Sequence, residues 1–502
     1  MENIAFLPIG PEVVLLIGAV LVLMSAVALN MGLRAWGVIG GIALVAAFLL
    51  SWAQWLRLDS LEVTRELAFS AREVPVVRYP MVVMDRFSAF AGVLIFLVAF
   101  LALVGNWQLI PKLGKRGAEY VALVLLAAAG LHMMTMSSNL ILLFMGLETA
   151  SIALYVIAGF VRAERNSDEA ALKYFLLGSF ASAIFLYGIA LVYAGTSTLS
   201  IYGSGGIIEF FAVQPVALFD VGVLLTGIAL MIVGLAFKIS AAPFHQWAPD
   251  VYQGAASGSV ALMSAGVKVA GIAALARILF GAFPSRIDDW APLLAVLAIL
   301  SIVVGTIGAI GQRDVKRMLA YSGVAHAGFM MTAMVAGAGG MRSIWFYLAT
   351  YALQLVGAFT VVSLVSGTRS GASSFDEYTG LWQRSPRLAL VMATFMLGMA
   401  GIPFFSGFVG KVAVFGSAIN AGYLWLAIAG LVAAVAGLFF YLRLTVLMFF
   451  EAPVMADAPG TATAAPRLEG GGGLVATLCA VLTVLLGIIP WPLLNIVRDA
   501  VL

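Results

Sequence analysis

Apolar residues run in stretches of roughly 20, divided by short polar breaks, from Ile9 to the last residues of the chain. A hydrocarbon core of roughly 30 Å needs a helix of that length, so the pattern predicts about fourteen transmembrane helices. They are expected at 9–30, 36–56, 82–106, 118–136, 138–161, 169–195, 219–249, 256–283, 290–311, 313–337, 341–367, 386–420, 422–450 and 472–496. The predicted fold class is an all-α polytopic membrane protein. Glu12 lies in the first helix, which lacks a charged leading region and a small-residue cleavage site, so it reads as a retained span rather than a signal peptide.

Composition agrees with that reading. The chain is 63% hydrophobic and 10% charged, with mean hydropathy +1.08, which excludes a soluble domain. A single cysteine, Cys479, excludes an intramolecular disulfide, a cysteine-ligated cluster and a cysteine zinc site. Arginine and lysine set the orientation. One set of alternate loops holds Arg34, Lys112, Lys115, Arg116, Arg162, Arg165, Arg313, Lys316, Arg317, Arg369, Arg384, Arg387 and Arg467. The other holds chiefly Arg286 and Arg342, apart from segment 57–80, where Arg57, Arg65, Arg72 and Arg78 are offset by Asp59, Glu62, Glu66 and Glu73. Both termini are then expected away from the cytoplasm. Ala452 to Gly473 reads as a flexible loop before a separate last helix.

Two helices are interrupted. The stretches from Phe237 to Pro249 and from Gly398 to Lys411 each place small residues and a Pro-Phe pair at mid-span, with a lysine beside the break. Proline removes a backbone donor and disturbs the preceding turn. The freed carbonyls need protein or water partners. Paired breaks in two halves point to a transporter of two structural repeats with a midplane site. Ordinary proline kinks are the plainer alternative.

Of the seven lysines, Lys173, Lys238, Lys268 and Lys411 fall inside predicted spans. Each buried charge costs roughly 2.5–3.5 kcal/mol at the bilayer centre and needs internal partners. Burial disfavours an ammonium and a nearby carboxylate favours it, so a lysine balanced between the two exchanges protons readily. Glu148, in the fifth span, is the counter-charge expected for Lys238; a static packing pair is the alternative. Lys268 is central, whereas Lys173 is near enough to a helix end to reach the interface. His132, His245 and His326 also lie within spans. His245 sits in the first break and His326 is placed to link the halves by imidazole relay, while His132 reads as structural. Their spacing gives no metal site, and there is no phosphate loop, nucleophile elbow or redox centre.

Together Glu148, Lys238 with the Pro243-to-Tyr252 stretch, Lys268, and the stretch from Gly401 to Lys411 resemble the antiporter-like membrane subunits of respiratory complex I (NADH:quinone oxidoreductase), a family shared with multi-subunit sodium/proton antiporters. The resemblance covers essentially the whole chain. A lysine in the twelfth helix is similar to the L and N types, and a chain ending after its fourteenth span resembles the N type. It implies two inverted five-helix repeats, with residues 1–117 as helices 1–3, 118–283 as the first repeat, 290–450 as the second, and 451–502 as loop and last helix. It implies a Glu148–Lys238 switch, Lys268 as the connecting lysine and Lys411 as the second proton site, assisted by Lys173 and His326. Quinone reduction elsewhere would drive it. NADH, FMN, iron–sulfur clusters and quinone would belong to other subunits, with no cofactor held by this chain. The implied partners are other membrane subunits, among them a second antiporter-like chain and small helical subunits, together with lipids and no nucleic acid. The implied location is a bacterial inner membrane. A cation/proton antiporter subunit is the alternative.

Overall fold

The computed structural model describes residues 7–29, 31–60, 65–70, 80–161, 165–213, 218–366, 373–453 and 466–502. Glu62, Arg72, Glu73, Arg78, Arg162 and Arg369, and much of the expected 452–473 loop, lie outside the described residues, as do the side chains of Arg65, Glu66 and Arg165.

The chain is almost wholly helical, since in lipid a helix satisfies its own backbone. Helices α1 (Gly10–Ala28) and α2 (Ala35–Ser60) lead into strands β1 (Arg65–Ser70) and β2 (Pro80–Asp85). Next come α3 (Arg86–Gly105), α4 (Arg116–Met136), α5 (Leu140–Ala158), α6 (Arg165–Thr196), α7 (Leu218–Lys238) and α8 (Trp247–Gly254). They are followed by α9 (Ser257–Ala282), α10 (Ile287–Ile310), α11 (Val315–Met334), α12 (Met341–Ser366), α13 (Pro386–Ala400) and α14 (Ser406–Asn420). The series closes with α15 (Leu424–Phe450), α16 (Gly470–Ile488) and α17 (Trp491–Asp499).

Among the described residues, twelve helices are long and apolar enough to cross a membrane, against about fourteen expected. The other two expected spans take other forms. Helix α11 carries Lys316 and Arg317 in its first turn, and the twelfth is divided into α13 and α14, of 15 residues each. Helix α9 is completely enclosed and α12 nearly so, whereas α1, α15 and α16 present apolar side chains outward.

Two boundaries differ from expectation. The third span does not begin as helix at 82: Pro80-Met-Val-Val-Met-Asp85 pairs antiparallel with β1, from Arg65 opposite Asp85 to Ser70 opposite Pro80. Its adjacent valines favour a strand, and Pro80 opens it, where a missing donor is tolerated. Asp85 then caps α3, accepting from the Ser88 amide at 2.8 Å while the Ser88 hydroxyl accepts from the Asp85 amide at 3.2 Å. At the other end, the expected 472–496 span stops at Ile488. Pro490 opens α17, and the Trp345 indole holds that tail by donating to Ala500 O at 2.7 Å.

The same Asp85 anchors a fully buried arginine. Arg277 on α9 donates to its two carboxylate oxygens at 2.5 and 2.9 Å and to Thr135 O at 3.0 and 2.7 Å, with its guanidinium 4.7 Å from the Phe87 ring centre. Removing one partner of a buried pair strands the other charge, which costs about 3–5 kcal/mol. Arg277→Met is therefore expected to lower the unfolding midpoint of the purified assembly sharply, and Arg277→Met with Asp85→Asn to recover most of the loss. An unchanged midpoint in the single variant would contradict this account.

Candidate functional site

Both interruptions are present, and each frees backbone groups that a specific side chain answers. Between α7 and α8, Ser240 takes a left-handed conformation (φ 60°), the Trp247 indole donates to Phe237 O at 2.9 Å, and the Ala242 amide donates to the Ser301 hydroxyl at 2.8 Å. Between α13 and α14, Gly401 turns the chain at φ 82°. Lys411 on α14 donates to Ala400 O, the last carbonyl of α13, at 2.7 Å. A cation suits that position because the carboxyl end of a helix is partially negative.

Lys238 closes α7 and is buried. It donates to the Ser151 hydroxyl at 2.6 Å and lies 5.4 and 5.7 Å from the ring centres of Tyr155 and Tyr174. Glu148, one turn before Ser151 on α5, does not form the expected ion pair with it; its Oε1 is buried without a hydrogen-bond partner among the described residues. Serine, three residues on along the same helix face, occupies the contact.

A more continuous series runs from the last helix of the first half into the second. Lys268, on the enclosed α9, makes no hydrogen bond or ion pair among the described residues. Its Nζ packs onto Gly323 of α11 beside the Tyr351 hydroxyl: a Cβ at Gly323 would lie 3.1 Å from the one and 3.2 Å from the other. Tyr351 stacks on His326 with ring centres 4.4 Å apart. His326 is held at both nitrogens, Nδ1 by the Tyr347 hydroxyl at 2.6 Å and Nε2 by the Tyr441 hydroxyl at 3.0 Å; Ser322 meets Tyr441 at 2.6 Å. Phe329 sets its ring edge against His326 (5.6 Å) and lies 5.5 Å from Lys411 Nζ. A pocket of about 560 Å³ reaches Lys411 past Pro403, Phe408 and Val435. Lys268 and Tyr351 thus converge on Gly323, and Tyr351, His326, Phe329 and Lys411 follow in turn; among the described residues the buried hydroxyls of Tyr351, Tyr174 and Ser240 have no hydrogen-bond partner, which leaves them capacity for water.

Other expected residues lie apart. Lys173 is ion-paired to Glu169 (2.7 Å) and Asp250 (2.6 Å) and its side chain is 41% exposed, which fits the interfacial alternative. His245 is half-buried at the break, against the Tyr321 ring at 5.9 Å, without touching Lys238. His132 pairs with Glu12 of α1 and meets Ser88 O at 3.2 Å, tying α1 and α3 to α4.

Sequence reasoning missed Ser151, the three tyrosines around His326, Asp250 with Arg317, Lys316 and the Asp85–Arg277 pair. The i, i+4 spacing of Tyr347 and Tyr351 was a usable signal, since it sets both hydroxyls on one helix face. Lys316, expected in a loop, is buried and donates to Ala255 O at 2.9 Å and to Gln253 O at 3.2 Å. Chemically, the site offers three buried amines with no carboxylate hydrogen-bonded to them among the described residues, and an imidazole bonded at both nitrogens, a group that can accept a proton on one side and release it on the other.

A family model described as NADH:quinone oxidoreductase/Mrp antiporter, TM, matches residues 137–437. NADH-quinone oxidoreductase subunit N of Trichlorobacter lovleyi is 42% identical over 371 residues, 74% of this chain and 75% of that one. A chain of respiratory complex I from Thermus thermophilus, solved with bound aureothin, superposes with TM-score 0.76 at 30% identity, covering 97% of this chain and 98% of that one. A chain of the Mrp complex from Dietzia superposes with TM-score 0.83 at 21% identity, covering 100% and 97%, and shares the fold.

The geometry at His326 separates two neighbouring tyrosines. Tyr441→Phe leaves a buried ring nitrogen unpaired, which costs about 1–3 kcal/mol. Tyr351→Phe, whose hydroxyl has no protein partner, is expected to cost much less. Thermal unfolding of the two variants in the same assembly checks this, and the reverse order would refute the assignment.

Proposed function

Because the chain belongs to the NADH:quinone oxidoreductase/Mrp antiporter family of membrane subunits, we propose that it moves protons through its own interior as the N-type subunit of an NADH:quinone oxidoreductase. The observation that carries the proposal is the series Lys268, Tyr351, His326, Phe329 and Lys411, buried together with no carboxylate bonded to any of them among the described residues. A buried ammonium with neutral partners binds its proton less firmly than one in an ion pair. The same amines can therefore load and unload.

Glu148 is the switch in this reading. While charged, it favours a proton on Lys238; once it is neutralised or drawn away, only Ser151 and two aromatic rings hold that ammonium. The proton is then passed toward Lys268, across the His326 hydrogen bonds and on to Lys411. Quinone reduction supplies the drive, and the NADH, FMN, iron–sulfur and quinone chemistry belongs to other subunits. Helices α4–α9 and α10–α15 form the two inverted repeats, His245 serves the entrance while Lys173 holds α6 to α8 without carrying protons, both termini face away from the cytoplasm, and the setting is a bacterial inner membrane. Neighbouring membrane subunits, an antiporter-like chain and small helical subunits among them, cover the outer surface along with lipid. Exposed Pro243, Pro403 and Phe404 support this, since irregular backbone is not tolerated against lipid.

Donor-driven proton pumping in native membrane vesicles tests the proposal. Glu148→Ala and Lys238→Met are each expected to abolish most pumping and to slow electron transfer while the complex assembles. Parental pumping in Lys238→Met would sink the mechanism. Sodium-dependent exchange without an electron donor would move the reading to a cation/proton antiporter.

A further inference from the structure

Asp250 stands on α8, the short helix after the first break, and divides its carboxylate between the two halves of the chain. One oxygen takes Lys173 of α6 at 2.6 Å and the other takes Arg317 of α11 at 2.6 Å. We infer that Asp250 is a positioning residue, a clamp that transmits the state of Lys238 in the first half to the second half; the inference rests on the proton-moving reading above.

The linkage starts at Lys238. Its ammonium lies over the ring of Tyr174, the residue after Lys173, and Tyr174 stacks on Trp247 of α8 with ring centres 4.5 Å apart and planes at 10°. Helices α6 and α8 are thus joined twice, by the stack and by the Lys173–Asp250 pair. When Lys238 loses its charge, the attraction between cation and ring disappears, so Tyr174 and the neighbouring Lys173 are held less firmly. The two ends of the clamp differ. Lys173 is part-exposed and such pairs hold weakly, whereas Arg317 is also bonded to Gln253 and Gln312, each at 3.2 Å, and the adjacent Lys316 holds Ala255 O at 2.9 Å. The clamp therefore yields on the α6 side, and α8 stays with the second half.

The test uses the whole complex in native vesicles and reads protons moved per electron. Asp250→Asn is expected to assemble and oxidise donor at the parental rate with a lowered ratio, and Asp250→Glu to restore it. Lys173→Arg keeps the ion pair but cannot give up a proton, so it is expected to pump as the parent does. A parental ratio in Asp250→Asn overturns the inference, as does failure of Lys173→Arg, which would make Lys173 a proton carrier instead. Should Asp250→Asn not assemble, Lys173→Gln is read in its place, with a lowered ratio expected and a parental ratio overturning the clamp. Parental pumping in Lys238→Met removes the underlying reading, whereas lost pumping there beside a parental ratio in Asp250→Asn removes only the clamp.

Discussion

A backbone group left without a partner in hydrocarbon is too costly to keep, and that constraint organises the interior of this chain. Each broken helix exposes carbonyl and amide groups that a continuous helix would have paired. Trp247 answers Phe237 O, Ser301 answers the Ala242 amide, and Lys411 answers Ala400 O. The second of these answers comes from another helix, α10, so closing the first break also docks one half of the chain on the other. The third is itself an ammonium. At that break, the repair of the backbone falls to the side chain proposed as the second proton site.

Two kinds of buried cation follow from different partners. Arg277 has a bidentate carboxylate and a carbonyl, and a guanidinium does not release its proton. That cluster fixes α9 against β2 and α4. The lysines have a serine, a carbonyl or no hydrogen-bond partner, with aromatic rings nearby. Neither a serine hydroxyl nor a backbone carbonyl carries a charge, and an ammonium, unlike a guanidinium, is a group that can lose its proton. Charge-paired arginine and lysines with neutral partners are thus separated by residue type within one bilayer-spanning body.

The long apolar runs, the two breaks and the lysines were legible because proline and charge stand out against hydrocarbon-like sequence. The partners were not. Ser151 and Tyr441 are ordinary in an apolar helix, and only tertiary packing makes them hydrogen-bond to Lys238 and His326. Glu148 and Lys238 drew attention as opposite charges, but periodicity could not show that Ser151 takes the contact. The hairpin was hidden because Pro80 to Asp85 is apolar enough to read as the start of a span, and Pro490 was overlooked as a stop. Asp250 was visible within its stretch, but its two cations come from positions 77 residues before it and 67 after it.

Lys268 sits in an α-helical segment, Val267–Ala276, bracketed by π turns at Leu262–Gly266 and Arg277–Ala282. Each π turn inserts one residue into the helical count, and one residue corresponds to about 100° of rotation. The face presented by Lys268 is therefore out of phase with both ends of its own helix. Its aim at Gly323 depends on two single-residue insertions, so the angular setting of this amine is fixed by the residue count on either side of it rather than by the apolar character of the helix that carries it.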